Sequence, residues 1–434
     1  MKKADTLKLH QLLLPIVTVG LISLLGCETK AVHTDRETLS TIYVASNKAD
    51  GNTVVGFRSL TSGEFKQLGE FPTGGEGTGD LEIPALQKDE THPLANGDDP
   101  LISANGIIAT DDGRHVLVVN AGDSSISLLR VNNDGSLTQQ NTVEAGDKFP
   151  VSIASHGQHV VVASVGVDNG NGSISAYIIN TDNRLTLVPG SRRDLKARPS
   201  TTSFSHDGKH LIVNELVTGK IKIFRMLDNS LSAEPISTVS SPRTAKRFQA
   251  IPVGFDTGVS DSGDLIFMSE ARFLTPEFGL REQANVVPQT PKYSWQTGSL
   301  SSYTLDGQGN INLVSADVLT GDSVEGGEIA NCWVALSADQ KTLWAANALS
   351  SSISSFDISS DGSVRLKNAT AYKSKPEMLF FSDLDTSHDG KELYQLVGNM
   401  GQVMIFDIQN NGDLTLKQTL SGLPKLGAYG LLVL

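Results

Sequence analysis

Cysteine is scarce. The 434 residues hold only Cys27 and Cys332, too few for the disulfide framework of a small secreted domain. Charged residues make up 19%, too low a fraction for a chain kept disordered by self-repulsion. Apolar runs approaching ~20 residues are missing beyond the N-terminus, which excludes a polytopic helical membrane protein. Basic residues are outnumbered, and a formal net charge of −13 argues against nucleic acid and against charge-driven docking on anionic lipid. No His-Glu-x-x-His, CxxC, phosphate loop or Gly-x-Ser-x-Gly occurs, and the histidines fall singly. What is abundant is glycine, at 41 residues, together with Ser, Thr, Asn and Asp. That composition belongs to a turn-rich β protein rather than a helical bundle.

The N-terminus reads as an address. Lys2, Lys3 and Lys8 precede an apolar stretch over 12–25, which has the length of a signal-peptide core and is short for a membrane span. It ends in Leu24-Leu25-Gly26-Cys27, which resembles the bacterial lipobox. That resemblance implies a signal peptide over 1–26, cleavage before Cys27, acylation of its thiol, and a tether over 27–40. Two or more acyl chains anchor stably to a membrane. Glu28, where an Asp would signal inner-membrane retention in lipoproteins, directs the expectation to the outer membrane. Cleavage would also remove Lys2, Lys3, Asp5 and Lys8, leaving a mature charge of −15.

A repeated unit fills 41–434. Its best copy runs Gly106-Ile107-Ile108-Ala109-Thr110-Asp111-Asp112-Gly113-Arg114-His115-Val116-Leu117-Val118-Val119-Asn120. A third strand over 126–131 follows, then Asn133-Asp134-Gly135 and a fourth strand opening at Leu137. Asp-Gly is a strong hairpin signal because the turn needs positive φ. The second strand of the unit recurs over 41–46, 115–120, 159–164, 210–215, 265–270, 342–347 and 392–397, which makes seven copies. Seven four-stranded units at this period predict an all-β, seven-bladed β-propeller.

The first unit lacks a first strand, and the chain ends in a lone strand over 428–434. The C-terminal strand is therefore expected to complete the first blade, since an unpaired edge at the channel leaves buried backbone unsatisfied. Two insertions, near 71–103 and 272–297, break the period. Alternating strand direction places both on one face, termed the top, where long loops often carry function.

The wording Phe204-Ser205-His206-Asp207-Gly208-Lys209-His210-Leu211 through Val213-Asn214-Glu215-Leu216 resembles the lactonase-like seven-bladed propeller family, which includes 6-phosphogluconolactonase and carboxy-muconate lactonising enzyme. The resemblance implies catalytic groups on the top face. They are a His in Pro-His-Ser, an Arg-His pair after a Pro, a Glu in Asn-Glu-Leu and an Arg after an Asn. Only Glu215 matches. Val151, Ser200-Thr201 and Ala348 occupy the other positions, so the family's means of gripping phosphate or carboxylate is missing there.

Polar and acidic residues stand in their place. Ends of second strands offer Asn120, Glu215, Glu270 and Asn347, and starts of first strands offer Asn105, Asp256, Asn331 and Trp333. Glu215 and Glu270, on adjacent blades, are candidates for a general acid/base pair, for hydrogen bonding to a sugar-like ligand, or for purely structural bonds. Trp333 suits either stacking on a sugar ring or core packing. Two functions stay open. One is a binding propeller for a small polar ligand or a protein partner. The other is a lactone hydrolase or cycloisomerase, with His92, Arg272, Arg281 and Lys292 on the insertions as replacement cations. No cofactor is expected, with calcium at Asn96-Gly97-Asp98-Asp99-Pro100 as the weak exception.

Overall fold

The Asp-Gly turns seed the hairpins. In the turn before His115, Gly113 adopts φ 65° while Asp112 Oδ1 accepts from Thr110 Oγ1 at 2.7 Å and from the Arg114 amide at 3.0 Å. Ser205-His206-Asp207-Gly208 repeats the arrangement, with Asp207 Oδ1 accepting from Ser205 Oγ and Lys209 N. The side chain thus rebuilds one turn of backbone hydrogen bonding, which pins the register of the strands on either side.

The computed structural model describes residues 40–80, 103–167, 171–216, 218–243, 247–272, 296–375 and 379–434. These form seven antiparallel sheets of the predicted kind, each a blade whose strands run in sequence order from axis to rim, except that blade 1 takes its innermost strand from the C-terminus. In blades 3 and 4 the rim strand is broken into two short pieces. The described residues contain no helix. The predicted second strands coincide with His115–Asn120, His159–Ser164, His210–Glu215, Thr342–Asn347 and Glu392–Val397, and lengthen slightly to Gly263–Ala271 in blade 5.

The ring closes as the sequence predicts. Tyr429–Val433 pairs antiparallel with Thr41–Ala45, and Thr41 and Leu434 exchange backbone hydrogen bonds of 2.6 and 2.8 Å. Period-two alternation divides the closure between two neighbours. Ile42, Val44 and Leu431 pack against Tyr394, Leu396, Val403 and Ile405 of blade 7, while Tyr43 and Ala45 pack against Ile107, Val116 and Val118 of blade 2. The same sandwiching recurs at the other seams, so the core is a ring of inter-blade layers.

In six blades the pairing of the innermost and second strands slips near the top. Bulges of this kind re-aim side chains. The residues skipped include Val151, Ser200, Thr201, Val253, Cys332, Ser382, Asp383 and Gly430. These bulges bring Val151, Ser200 and Thr201 to the channel mouth, where the resemblance implied catalytic cations.

Candidate functional site

The channel mouth is closed by three residues of blade 2. Ser103 Oγ donates to Val151 O at 2.7 Å, Ala104 N to Thr201 Oγ1 at 2.8 Å, and Asn105 Nδ2 to Thr202 O at 3.0 Å. From the opposite side, the Trp333 indole N–H and the Tyr429 hydroxyl both donate to Ser103 O, at 2.7 and 2.6 Å. Five blades therefore meet on one short segment. Trp333 is 2% exposed and edge-on to Phe380. Of its two expected roles, the structure gives it core packing, and it presents no face for a sugar to stack on. The hydroxyls of Ser200 and Thr201 both donate to Val253 O at 2.8 Å, tying blade 4 to blade 5.

Glu215 and Glu270 end the second strands of blades 4 and 5, as predicted, and both are buried. Each is matched to its own cation. Glu215 Oε1 pairs with Lys222, and its Oε2 accepts from Thr218 Oγ1 at 2.5 Å. Glu270 Oε2 accepts from Arg272 Nη2 and from Ser299 Oγ, both at 2.7 Å. Arg272 is also 3.0 Å from Asp317, which in turn takes Arg247 in a fork through Nε and Nη2. Two guanidinium groups and two carboxylates thus form a charge-balanced, buried quartet, the arrangement that burial of ions requires. Arg272 belongs to that quartet rather than standing free as a replacement cation. Arg281, Lys292, His92, Cys27 and the 96–100 turn lie outside the described residues.

Glu270 Oε1, unlike its partner oxygen, has no hydrogen-bond partner although it is buried. The same holds for Asn331 Oδ1 and Asn347 Oδ1. These three acceptors are linked in space. Asn331 Nδ2 donates at 2.7 Å to the carbonyl of Ser299, whose hydroxyl binds Glu270, and Asn331 pairs in register with Asn347. A Cβ on Gly298 would lie 2.8 Å from Asn331 Cβ, so only glycine lets the strand approach there. The result is a line of unspent oxygen acceptors across the tops of blades 5 and 6.

The remaining expected residues are placed elsewhere. Asn120 spends its amide on Ser125, Ser127, Asn52 and Thr73, fastening blade 1 to blade 2. Asp256 lies in the middle of Ile251–Ser260 rather than at a strand start, because blade 5's innermost strand is longer than the repeat suggests. It accepts from Thr257 N and from Leu336 N of blade 6.

Asp383 and Asp385, on the innermost strand of blade 7, share that axial position and were not among the expected residues. Burial pushes both carboxyls up to about 7, aided by the facing charge of Asp256, and Asp256 is itself raised by burial. Asp256 and Asp385 keep part of their surface exposed, but the packed strands around them set most of their solvation. The signal was legible in Phe381-Ser382-Asp383-Leu384-Asp385, where two acids alternate in a strand that otherwise reads as core. Arg247 and Asp317 carried no comparable signal, since their partners come from distant positions, and Lys222 reads as a surface residue of the neighbouring strand. Among the described residues, no group of His, Cys, Asp or Glu has the geometry of a metal site.

No protein-family model matches the chain, and no curated protein matches it. Solved structures do. A candidate 6-phosphogluconolactonase of Bacteroides fragilis is similar over 92% of this chain and 99% of its own, at 17% identity and a TM-score of 0.58. The periplasmic gluconolactonase of Pseudomonas aeruginosa is similar over 91% and 99%, at 17% identity and 0.59. A Lactobacillus plantarum protein reaches 0.63 at 16% identity over 91% and 99%. At these identities the likeness shows a shared fold, the seven-bladed architecture of lactonase-like propellers.

Proposed function

We propose that this chain is an exported, lipid-anchored propeller that binds a small polyhydroxylated ligand of the sugar-lactone class at its top face, over blades 5 and 6. The observation that carries the reading is the line of Glu270 Oε1, Asn331 Oδ1 and Asn347 Oδ1, three buried acceptors without partners. Buried polar atoms in native proteins nearly always find a partner. Acceptors alone are complementary to hydroxyl donors and repel a phosphate, which also accepts. The lipobox at Cys27 supports anchoring at the outer membrane, and the Pseudomonas neighbour, a periplasmic protein, is consistent with export.

A second reading, lactone hydrolysis, is favoured by one oxygen. Glu270 Oε1 is free to take a proton from a water whose oxygen bonds the lactone carbonyl carbon. The ring C–O bond then breaks, and the leaving alkoxide recovers a proton. The experiment is a panel of neutral sugars and aldonolactones, with binding read by thermal shift and hydrolysis by acid release. Binding without acid release supports the first reading, and acid release lost in Glu270→Gln supports the second. A panel with neither result contradicts both.

A further inference from the structure

Each innermost strand has one edge facing its neighbour across the channel wall, and the amides on that edge need acceptors. The seams solve this differently. Ile153 N uses the Asn105 carbonyl at 2.9 Å, and Thr202 N uses Ser152 Oγ at 3.0 Å. At the seam between blades 7 and 1, where the chain's two ends meet, the acceptors are carboxylates. Asp383 Oδ2 accepts from Leu431 N at 3.2 Å, and Asp385 Oδ2 from Val433 N at 3.0 Å. Their other oxygens accept from the following residues, Leu384 N and Thr386 N. The closing strand is therefore held on its axial edge by two acidic groups two residues apart.

We propose that this seam is a proton-sensitive latch, in which protonation of Asp383 and Asp385 tightens the C-terminal strand and their ionisation loosens it. The charged groups that face the pair are each other and, from blade 5, Asp256. Blade 6 brings only Cys332, whose buried thiol is pushed up to about 12 and stays neutral. The closing strand brings Tyr429, whose hydroxyl is spent on Ser103. Blade 7's second strand brings Tyr394, in register with Asp385; the Tyr394 hydroxyl is spent on Glu392, itself paired with Lys417. His156 of blade 3 leans toward Asp111 instead, its Nδ1 3.7 Å from that carboxylate. No cation among these elements offsets the three acids, so ionisation gathers like charges in a narrow channel.

The direction follows from linkage. Both carboxyls are raised to about 7 in the folded ring, against ~3.9 for an unfolded Asp. The folded ring binds more protons between those values, so the latch's contribution is complete only below ~3.9, declines as pH rises between the two values, and is gone once pH has passed about 7. This opposes ordinary acid denaturation, in which carboxylates weaken the fold on gaining protons.

The test is hydrogen exchange on the full propeller between about pH 5 and about pH 9, corrected for intrinsic exchange. The protection of the Leu431 and Val433 amides, relative to amides of blade 3, is expected to fall at least about tenfold across that range. In the Asp383→Asn, Asp385→Asn double variant the ratio is expected to stay flat. Should that variant fail to fold, Asp256→Asn leaves the closing strand's own bonds intact and is expected to shrink the fall. Infrared difference spectra of the wild type should also show protonated carboxylic acid lost near neutrality. A ratio that does not change with pH in the wild type, or that changes equally in the variants, overturns the proposal.

Discussion

Arg272, just past the second strand of blade 5, lies 3.0 Å from Asp317 on the rim strand of the same blade. Asp317 adopts φ 50° on the rim strand Ile311–Leu319, a left-handed conformation that carries some cost outside glycine, though Asp takes it more readily than most residues. The cost is offset by two guanidinium partners, Arg247 and Arg272. Arg272 in turn bonds the carbonyls of Pro242 and Phe248, so the quartet fixes both the blade 4–5 connection and the root of the insertion.

Removing Asp317 leaves two buried guanidinium groups sharing one carboxylate. Asp317→Ala is therefore expected to cost about 3–5 kcal/mol of stability. Urea unfolding measures it directly. A change within about 0.5 kcal/mol, typical of surface sites, would show that water compensates the quartet.

Deleting 428–434 strips the innermost strand from blade 1 and exposes Thr41–Ala45, now fully buried, as an apolar edge. Leu431 alone is 6% exposed, and burying a leucine stabilises by roughly 1.5–3 kcal/mol. The truncated chain is expected in inclusion bodies, or to melt far below the full chain. A soluble truncation with an unchanged melting temperature would mean the ring closes without this strand.

The ring was legible because its determinants are local and repeated. Asp-Gly turns such as Asp112-Gly113 set the period, and the missing first strand matched the spare one at Tyr429. The site was legible only in part. Glu215 and Glu270 could be found from their place at strand ends, but their cations could not. Lys222 sits on the next strand of the same blade, where it reads as surface, and Arg247 depends on Asp317, 70 residues away and on a bulge. Trp333 was ambiguous for a similar reason. Its partner Ser103 is 230 positions distant, so no local pattern distinguishes a plug from a stacking platform.

Turnover of 6-phosphogluconolactone is expected to be negligible beside that of any unphosphorylated lactone. Val151, Ser200, Thr201 and Ala348 offer no cation at the positions that the resemblance marks, and Glu270 Oε1, Asn331 Oδ1 and Asn347 Oδ1 are acceptors. Competitive rates on the two lactones check this, and a preference for the phosphorylated one contradicts it.

If acyl chains on Cys27 supply the anchor, as proposed, Cys27→Ser is expected to move the protein from the membrane to the soluble fraction, since the acidic propeller adds no electrostatic attraction. Fractionation with outer-membrane vesicles reads the outcome. A variant that still floats with the vesicles would refute the lipobox reading.

Calorimetric titration of neutral aldonolactones and their parent sugars into wild-type and Asn331→Ala protein tests the binding site most directly. The account predicts saturable binding to the wild type and at least a tenfold loss in the variant, about 1.4 kcal/mol, with the variant's fold checked by its melting curve. Equal affinity in both proteins, or no binding across the whole panel, would contradict a hydroxyl-binding site over blades 5 and 6.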